Sequence, residues 1–496
     1  MVVYQNYIGG KWVNGSSNAT FASINPANEE VVGRVARAEA ADVEAAVESA
    51  ARAFDSWRLT PAPRRGEILY RVAQILKDRK EELSQLLTRE MGKVISEARG
   101  DVQEAIDMAF FMAGEGRRLL GYTAPVELPN KFGMAVREPM GVCAIITPWN
   151  FPIAVPSWKI FPALIAGNTI VYKPSPETPI LGIEFVKVFE EAGLPPGVLN
   201  VITAPGIDAG KALVRHAKVR AISFTGSTQT GTTIAGEAGR LGKKVALEMG
   251  GKNAITVLDD ANFDLAVDAI LWSAFGTTGQ RCTACSRLIL QKGIAPKLKE
   301  ALVERTKKLR LGDGLLETTD VGPLINKAAR DKVHEYVGIG QAEGARVLIG
   351  GKIHGDGGKG FFYEPTLFDG VTPKMRVAQE EIFGPVLSMI EVGSLEEAVK
   401  VNNDSAYGLS SSIFTENVNA AFAAMRDLAT GIVYVNHGTT GAEIQFPFGG
   451  TRGTGNGHRE AGQAGLEVFT EWKSIYVDFS GRLQRAQIDT DKLVNG

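Results

Sequence analysis

Apolar residues recur along this chain with a spacing that changes at about residue 140. Before that point they fall three or four residues apart over long stretches, which predicts helices over 41–57, 64–91 and 95–120. A short alternating run with two central glycines predicts a hairpin over 7–14. The first part of the chain is therefore expected to be mainly helical, with small strands at its start.

Beyond that point, short apolar runs alternate with helical patterns. Residues 141–146 are continuously apolar, which is typical of a strand buried on both faces. A second set of strands and helices runs from 254 to 436. This β–α repeat predicts an α/β fold with a doubly wound parallel sheet. For the first set, strands are expected at 141–146, 168–173, 197–202, 221–224 and 245–248, with helices over 180–192, 207–215 and 226–238.

Three stretches depart from the repeat. Residues 121–137 are poor in helix formers and are expected to form an extended excursion. The tail over 466–479 is apolar on alternate residues and rich in aromatic residues, so we expect a strand that needs a partner, such as another subunit. The uncharged run over 142–158 contains three prolines, which predict buried strand and loop rather than a membrane span.

Composition describes a globular protein of more than one domain. The 496 residues exceed a single ordinary core, and 44% apolar with 22% charged residues argues against disorder. A formal net charge of −2, without Lys/Arg clusters, argues against a nucleic-acid partner. The N-terminus lacks the pattern of a signal peptide, and cysteines are few, so a cytoplasmic protein is expected.

The three cysteines include one candidate nucleophile. Cys282 follows Gly276 and Gly279, and small residues would let a substrate carbonyl approach its sulfur. Such a thiol must be activated by neighbours or by a base. Cys285 completes a C-x-x-C pattern, which leaves a redox pair open. The second pair of ligands that zinc needs is missing, so no metal is expected. Alone, this stretch also fits a buried structural cysteine.

Six further stretches could contribute to chemistry. They place carboxylates, an amide, a lysine or glycine turns at sites such as the strand ends where parallel sheets bind ligands. Each alone also fits ordinary loop structure. The stretches are 148–152, 172–179, 223–231, 247–253, 379–385 and 446–450.

Together, and in this order, these motifs resemble the aldehyde dehydrogenase superfamily along nearly the whole chain. The resemblance implies a Rossmann-type cofactor domain over 1–120 and 140–250, and an α/β catalytic domain over 251–450. It implies a small β oligomerisation domain from 121–139 and 466–496, and hence a homo-oligomer, either a dimer or a tetramer. The implied activity is oxidation of an aldehyde with reduction of NAD or NADP.

The resemblance also assigns roles to residues. Cys282 would attack the aldehyde, and Asn150 with the Cys282 backbone N–H would hold the oxyanion. Glu248 would activate the water that hydrolyses the thioester, which favours a free carboxylic acid over transfer to coenzyme A. Trp158, Arg281 and Phe448 would contact the substrate. The implied cofactor-binding residues are Ile146, Pro148, Trp149, Lys173, Ser175, Gly226, Ser227, Gly231, Glu381 and Phe383.

Two positions bear on specificity. Many NAD-specific members have Glu three residues after the lysine, where this chain has Pro176, so Lys173 could pair with a 2′-phosphate and NADP use is expected. Arg281 and the stretch 436–445 are similar to dehydrogenases of acidic semialdehydes, especially α-ketoglutarate semialdehyde (2,5-dioxopentanoate). Arg281 could pair with a substrate carboxylate or bind protein carbonyls. A broad-specificity aldehyde dehydrogenase is the alternative.

Two other classes of protein remain to be compared. A thiol hydrolase would need a histidine paired with Cys282, and none of the five histidines lies in a recognisable pairing motif. A non-catalytic structural protein of this fold would not need Cys282, Glu248 and Asn150 together. The enzyme is the interpretation that uses all of these residues.

Overall fold

A computed structural model describes residues 3–490, apart from the side chain of Asp356. Two expectations extend beyond it: the first residues of the N-terminus and the last residues of the 466–496 segment lie outside the described residues. None of the described helices is both long and apolar enough to cross a membrane.

The strands are short and the helices of varied length. The strands are β1 (Val3–Tyr4), β2 (Asn6–Ile8), β3 (Lys11–Val13), β4 (Thr20–Ile24), β5 (Val31–Ala36), β6 (Tyr122–Ala124), β7 (Lys131–Pro139), β8 (Val142–Ile146), β9 (Thr169–Lys173), β10 (Leu199–Val201), β11 (Val219–Thr225), β12 (Lys244–Glu248), β13 (Asn253–Val257), β14 (Cys285–Gln291), β15 (Arg346–Ile349), β16 (Thr366–Asp369), β17 (Val386–Val392), β18 (Ser410–Phe414), β19 (Ile432–Val435) and β20 (Thr470–Asp478). The α-helices are α1 (Ala40–Trp57), α2 (Ala62–Asp78), α3 (Lys80–Met91), α4 (Ile95–Glu115), α5 (Ala154–Ala166), α6 (Pro179–Glu191), α7 (Asp208–Arg215), α8 (Thr228–Arg240), α9 (Phe263–Phe275), α10 (Ala295–Thr306), α11 (Lys327–Ala342), α12 (Arg376–Gln379), α13 (Leu395–Asn403), α14 (Val418–Asp427), α15 (Ala464–Val468) and α16 (Ala486–Asp489). Single 3₁₀ turns lie at Gly276–Gly279, His354–Gly357 and Arg452–Thr454.

The first sheet has the strand order β12-β11-β8-β9-β10-β2-β3. Its first five strands are parallel, and the hairpin β2–β3 joins antiparallel at β10. Ile146 pairs with Lys173 where β8 and β9 end, and Thr225 pairs with Glu248 where β11 and β12 end. Four candidate loops therefore leave the same edge of the sheet, which is where parallel sheets bind ligands.

The second sheet has the order β15-β16-β17-β14-β13-β18-β19, parallel except for β15. A third sheet, β20-β7-β6, joins the 121–137 excursion to the tail in one antiparallel unit. A small sheet, β1-β5-β4, lies near the N-terminus. The α/β fold class with Rossmann-type parallel strands and a small β unit is confirmed.

The expected loop within 142–158 is wrong, because α5 begins at Ala154. Pro156 lies in the first turn of α5, where a backbone N–H has no helical acceptor to lose. The backbone N–H of Ala154 instead donates to the Asp101 carboxylate at 2.7 Å, which fixes the start of the helix. Pro162 lies further inside, and the helix continues past it to Ala166.

Three other boundaries differ from the predictions, and the first is that the helix expected over 95–120 ends at Glu115. The single helix expected over 64–91 is two helices, because Arg79 leaves helical geometry at φ −96° and ψ 9°. The side chain of Arg79 binds Glu82 and Glu184, which anchors the break against α6. The tail expected to be extended from 466 begins instead as the short helix α15, and its strand starts at Thr470.

Candidate active site

The candidate nucleophile follows a turn held in an unusual conformation. Thr277 and Thr278 have φ values of 50° and 57°, in the left-handed region that threonine seldom adopts. The Glu97 carboxylate of α4 accepts hydrogen bonds from the Thr277 N–H at 2.8 Å and from its hydroxyl at 2.7 Å. On the other side of the turn, the Asn253 amide donates to the Cys282 carbonyl at 2.7 Å. These bonds fix the backbone on both sides of the sulfur.

The glycines before Cys282 make room for the protein itself, which corrects the expectation that they make room for substrate. A Cβ on Gly279 would lie 2.3 Å from the Gly384 carbonyl oxygen. A Cβ on Gly276 would lie 3.1 Å from the Glu97 carboxylate and 3.2 Å from the Arg281 guanidinium. Both glycines therefore allow close packing of the turn.

A cavity of about 340 Å³ brings together several predicted residues. Cys282 and Glu248 line it together with Trp158, Arg281 and Phe448, the three residues predicted to contact substrate. The rings of Trp158 and Phe448 meet edge to face, with centroids 4.7 Å apart. None of the described residues that line this cavity is a histidine, so Cys282 has no histidine base of the kind that a thiol hydrolase uses.

Glu248 ends β12 and is 4% exposed. Neither of its carboxyl oxygens has a hydrogen-bond partner among the described residues. Burial, reinforced by the nearby Glu460 carboxylate, raises the pKa of Glu248 well above its ordinary value. An unpartnered carboxyl with a raised pKa at a cavity wall is the state expected of a general base awaiting a water molecule.

Cys282 is a neutral thiol at rest. Burial, followed by the Glu248 and Glu381 carboxylates, raises its pKa to about 12. The proton must therefore leave during the reaction. Cys285 lies inside β14, its thiol donating to the Arg287 carbonyl at 3.3 Å, and it is not among the described residues that line the cavity.

A buried ion pair behind Glu248 was missed in the sequence. Lys159 of α5 and Glu460 pair directly, and Lys159 also donates to the Ser223 hydroxyl at 3.0 Å. Glu460 reaches the cavity wall, and both charges influence the pKa of Glu248. Lys159 is the only charged residue between 142 and 172, and a lone charge in so apolar a stretch indicates a buried partner.

Asn150 and Arg281 are both tied to the nucleophile turn. The Asn150 amide donates to the Gln280 carbonyl at 3.0 Å, which leaves its second N–H for another acceptor. Arg281 donates from Nε to the Thr277 hydroxyl at 2.9 Å and pairs with Glu97 at 3.2 Å. Its partners are thus side chains and not the protein carbonyls considered above.

A second cavity, of about 380 Å³, opens at the end of β8 and β9. Of the predicted cofactor residues, Ile146 and Lys173 line it, together with Phe224, Thr230 and Ile234. Burial lowers the pKa of Lys173 to about 8, and no described residue forms a hydrogen bond or ion pair with its amino group. A buried amine without a partner at a cavity wall suits the ribose or phosphate oxygens of a nucleotide.

The other predicted residues near this cavity have structural contacts and are not among its described lining. The Ser227 hydroxyl caps α8 by accepting from the Thr230 N–H, and the Ser175 hydroxyl accepts from the Glu177 N–H. The Gly226 N–H donates to the Glu248 carbonyl at 3.1 Å. A Cβ on Gly231 would lie 2.4 Å from the Met249 sulfur, so its glycine brings α8 against that loop.

A third cluster joins the two sheets near Cys282. Glu381 accepts from the Gly251 N–H at 2.9 Å, and burial raises the pKa of its carboxyl group. Phe383, at a left-handed φ of 61°, meets the ring of Trp149 at right angles, with centroids 5.6 Å apart. Trp149 follows the half-buried Pro148. These contacts bring the predicted residues Glu381 and Phe383 against the loops that contain Gly251 and Trp149.

Comparison with known proteins agrees with this geometry. Residues 12–475 match the aldehyde dehydrogenase family. The chain is 43% identical over 477 residues to the α-ketoglutaric semialdehyde dehydrogenase of Bacillus subtilis strain 168, which covers 96% of this chain and 98% of that protein. It is 38% identical over 480 residues to the 2,5-dioxopentanoate dehydrogenase of Saccharolobus solfataricus, with 96% and 99% covered.

A solved structure of Staphylococcus aureus betaine aldehyde dehydrogenase in complex with NAD+ superposes with a TM-score of 0.95 at 36% identity, covering 97% of this chain and 96% of that one. The resemblance seen in the motifs is confirmed over almost the full length. The chain therefore belongs to the aldehyde dehydrogenase family and is an NAD(P)-dependent enzyme that oxidises an aldehyde to a carboxylic acid.

Proposed function

We propose that the aldehyde is an acidic semialdehyde of the α-ketoglutarate semialdehyde (2,5-dioxopentanoate) class. The observation that carries this is Arg281, which lines the cavity with Cys282. Its guanidinium carbon lies 4.7 Å from the centre of the Trp272 ring. No described residue accepts a hydrogen bond from Nη1, so these N–H groups can meet a substrate carboxylate. The names of the relatives support the same class.

The test compares α-ketoglutarate semialdehyde with pentanal and benzaldehyde in the same NAD(P)H assay. The acidic substrate should have the highest kcat/KM. Changing Arg281 to Met should lower that value about tenfold or more, because a charge-assisted hydrogen bond is lost. Equal or better turnover of the simple aldehydes by the wild type would instead establish a broad-specificity enzyme.

The roles proposed for acylation follow from the geometry of the turn. Cys282 gives its proton to solvent water, and the thiolate sulfur bonds to the aldehyde carbon as the carbonyl π electrons move to oxygen, giving a thiohemiacetal oxyanion. The free N–H of Asn150 and the Cys282 backbone N–H hold that oxyanion, and one such donor contributes about 3–4 kcal/mol. NAD(P), when bound, supplies the hydride acceptor. Loss of the hydride leaves a thioester on Cys282.

Deacylation is assigned to Glu248. As a carboxylate, Glu248 takes a proton from water as the water oxygen attacks the thioester carbon. The Cys282 sulfur leaves, takes up a proton and releases the carboxylic acid. A positioned base contributes about 10²–10⁴-fold to such a step. The charges of the adjacent Lys159–Glu460 pair act on the pKa of Glu248 and so on its strength as a base.

For the cofactor, we propose a preference for NADP. Pro176 supplies no carboxylate beside Lys173, and the nearest one, Glu177, is engaged by the Asn326 amide at 2.9 Å. Glu177 is also absent from the described lining of the Lys173 cavity. Glu237 does line that cavity, but its carboxylate accepts from Arg215 at 3.0 Å. A 2′-phosphate would therefore meet the Lys173 cation without an unpaired carboxylate in the described lining.

The NADP preference is tested by kcat/KM for both cofactors in the wild type and in Pro176→Glu. We expect the wild type to favour NADP and the variant to favour NAD, because the new carboxylate repels the 2′-phosphate and accepts from the ribose 2′-OH. A strong NAD preference of the wild type would refute this proposal alone, since aldehyde oxidation would still be observed.

We also propose that the domains follow the sheets, with the boundaries predicted above, and that the third sheet joins subunits into a dimer or tetramer. Trp472 and Tyr476 of the edge strand β20 are 52% and 67% exposed, which is unusual for large aromatic side chains. Light scattering should give a homo-oligomer, and a monomer would contradict the proposal.

A cytoplasmic location fits the free cysteines and is tested by cell fractionation.

A further inference from the structure

Three acidic residues of α4 face the substrate cavity. Glu97, Asp101 and Glu104 are spaced four and three residues apart, which places them on one side of a helix. All three line the same cavity as Cys282. The three carboxyl groups differ in whether a neighbouring cation or hydrogen-bond donor compensates their negative charge.

Two of the three are used by the protein. Glu97 accepts three hydrogen bonds from Thr277 and pairs with Arg281. Asp101 pairs with Lys93 at 2.9 Å, both side chains being fully buried, and it also accepts from the N–H at the start of α5. Each of these charges is therefore compensated and fixed.

Glu104 has no such partner. No described residue donates a hydrogen bond to it or forms an ion pair with it, although it lines the cavity. The charges that act on it are Asp101 and Asp107 of its own helix, with Lys93 and Arg281 from the loops beside it. Burial, followed by the Asp101 charge, raises the pKa of Glu104 to about 8, which favours the protonated carboxyl group near neutral pH.

Four aromatic side chains line the same cavity as Glu104. Phe151, Trp158, Trp272 and Phe448 line the cavity and offer few hydrogen bonds to a polar substrate. The donors of this cavity that have no partner among the described residues include the Nη1 group of Arg281, the Trp158 indole N–H and the hydroxyls of Thr225 and Thr440. On the α4 side of the cavity, the O–H of a protonated Glu104 is a further donor.

We propose that Glu104 is a specificity-determining residue that donates its O–H to the substrate carboxylate, while Arg281 meets the negative charge. This rests on the acidic-substrate class proposed above. Ionisation of Glu104 would remove the donor and place two anions together. The preference for acidic aldehydes is therefore expected to disappear at alkaline pH.

The experiment uses glutarate semialdehyde and pentanal, which share a five-carbon chain and differ in the terminal carboxylate. The measured quantity is the ratio of their kcat/KM values at pH 7 and pH 9.5, in the wild type, Glu104→Gln and Glu104→Leu. Asp107→Asn is the matched control: it changes a charge one turn along α4, at a residue outside the described cavity lining. Pentanal turnover reports whether each variant is folded.

For the wild type we expect the ratio to fall about tenfold or more from pH 7 to pH 9.5, the size of a lost hydrogen bond to a charged group. Glu104→Gln keeps a neutral N–H donor, so its ratio should stay near the wild-type value at pH 7 and should not change with pH. Glu104→Leu should have a ratio about tenfold lower at pH 7. Asp107→Asn should show the same overall fall as the wild type, beginning at a lower pH because the Asp107 charge raises the pKa of Glu104.

The outcomes separate the two proposals. A wild-type ratio well above one that responds neither to pH nor to Glu104→Leu would overturn the role of Glu104 and leave the acidic substrate in place. A wild-type ratio below one at both pH values would remove the acidic-substrate class. If Glu104→Gln instead raises the ratio at pH 7, Glu104 acts as an anion that repels acids, and the proposal is overturned.

Discussion

The Glu248 carboxylate lies close to where a side chain at position 449 would be, so its position depends on Gly449. Gly449 has a φ of 147°, and a Cβ there would lie 2.6 Å from the Oε1 atom of Glu248. An ordinary contact begins at 3.4 Å, so Gly449→Ala must displace the carboxylate by about 0.8 Å. The same Cβ would lie 2.9 Å from the Cδ atom of Arg459, so an alanine at this position would crowd Arg459 as well as Glu248.

A displacement of that size should be expensive for catalysis. A misplacement of about 1 Å lowers a rate about 10²-fold, and loss of a general base lowers it about 10²–10⁴-fold. We therefore expect Gly449→Ala to lower steady-state kcat about 10²-fold. Glu248→Gln removes the base altogether, so its kcat sets the lower limit for that of Gly449→Ala. The turn that carries Cys282 is untouched, so acylation should still occur.

The assay is rapid mixing with excess NADP and aldehyde, followed at 340 nm. The variant should give a burst of NADPH close to one per active site, followed by a slow steady rate. Gly344→Ala is the control, because Gly344 has a φ of 101° but no heavy atom near its Cβ, so it tests backbone strain alone. A steady rate within twofold of the wild type, or loss of the burst, would refute this division of roles.

Three further predictions concern titration and buried charge. Burial raises the pKa of Cys282, which must lose a proton before acylation, so kcat/KM for aldehyde should rise from pH 6 to pH 9; a flat profile would contradict this. Burial also raises the pKa of Glu248, so kcat should rise with pH where deacylation limits the rate. Burial lowers the pKa of Lys173 to about 8, so the KM for NADP should rise relative to that for NAD as pH increases through that value, and the two changing in parallel would exclude a phosphate contact. Removing the charge of Lys93 by Lys93→Met should lower the free energy of unfolding by about 3–5 kcal/mol, since Asp101 is left buried and unpaired. In urea unfolding, the double change with Asp101→Leu should recover part of that loss, and no recovery would show that the pair itself is stabilising.

The succession of strands and helices along the chain was predictable from the sequence, since it depends on local patterns, whereas the nucleophile was identified only by combining motifs from the whole chain. Apolar runs such as 142–146 mark buried strands wherever they lie. The helix α5 was missed because the prolines of that stretch were interpreted as helix breakers, whereas Pro156 lies in a first turn that tolerates it.

Contacts between distant parts of the chain could not be predicted in this way. Glu97 and Thr277 are 180 residues apart, and Lys159 and Glu460 are 301 apart. Neither carboxylate carries a local signal, because surface helices are also rich in Glu. The glycines 276 and 279 show the same limit: their small size was recognised, but the neighbours that require it lie elsewhere in the chain.

The hydrogen bonds between Glu97 and Thr277 shape the turn before Cys282, so the reactivity of this cysteine depends on both halves of the chain being folded together. The cysteine lies in one half of the chain, and the carboxylate that shapes its turn lies in the other. A partly unfolded chain thus has the sulfur without its setting, on a turn that threonines would not hold alone. We expect such a chain to resist acylation by aldehydes, which protects it from being trapped in an unproductive adduct before folding is complete.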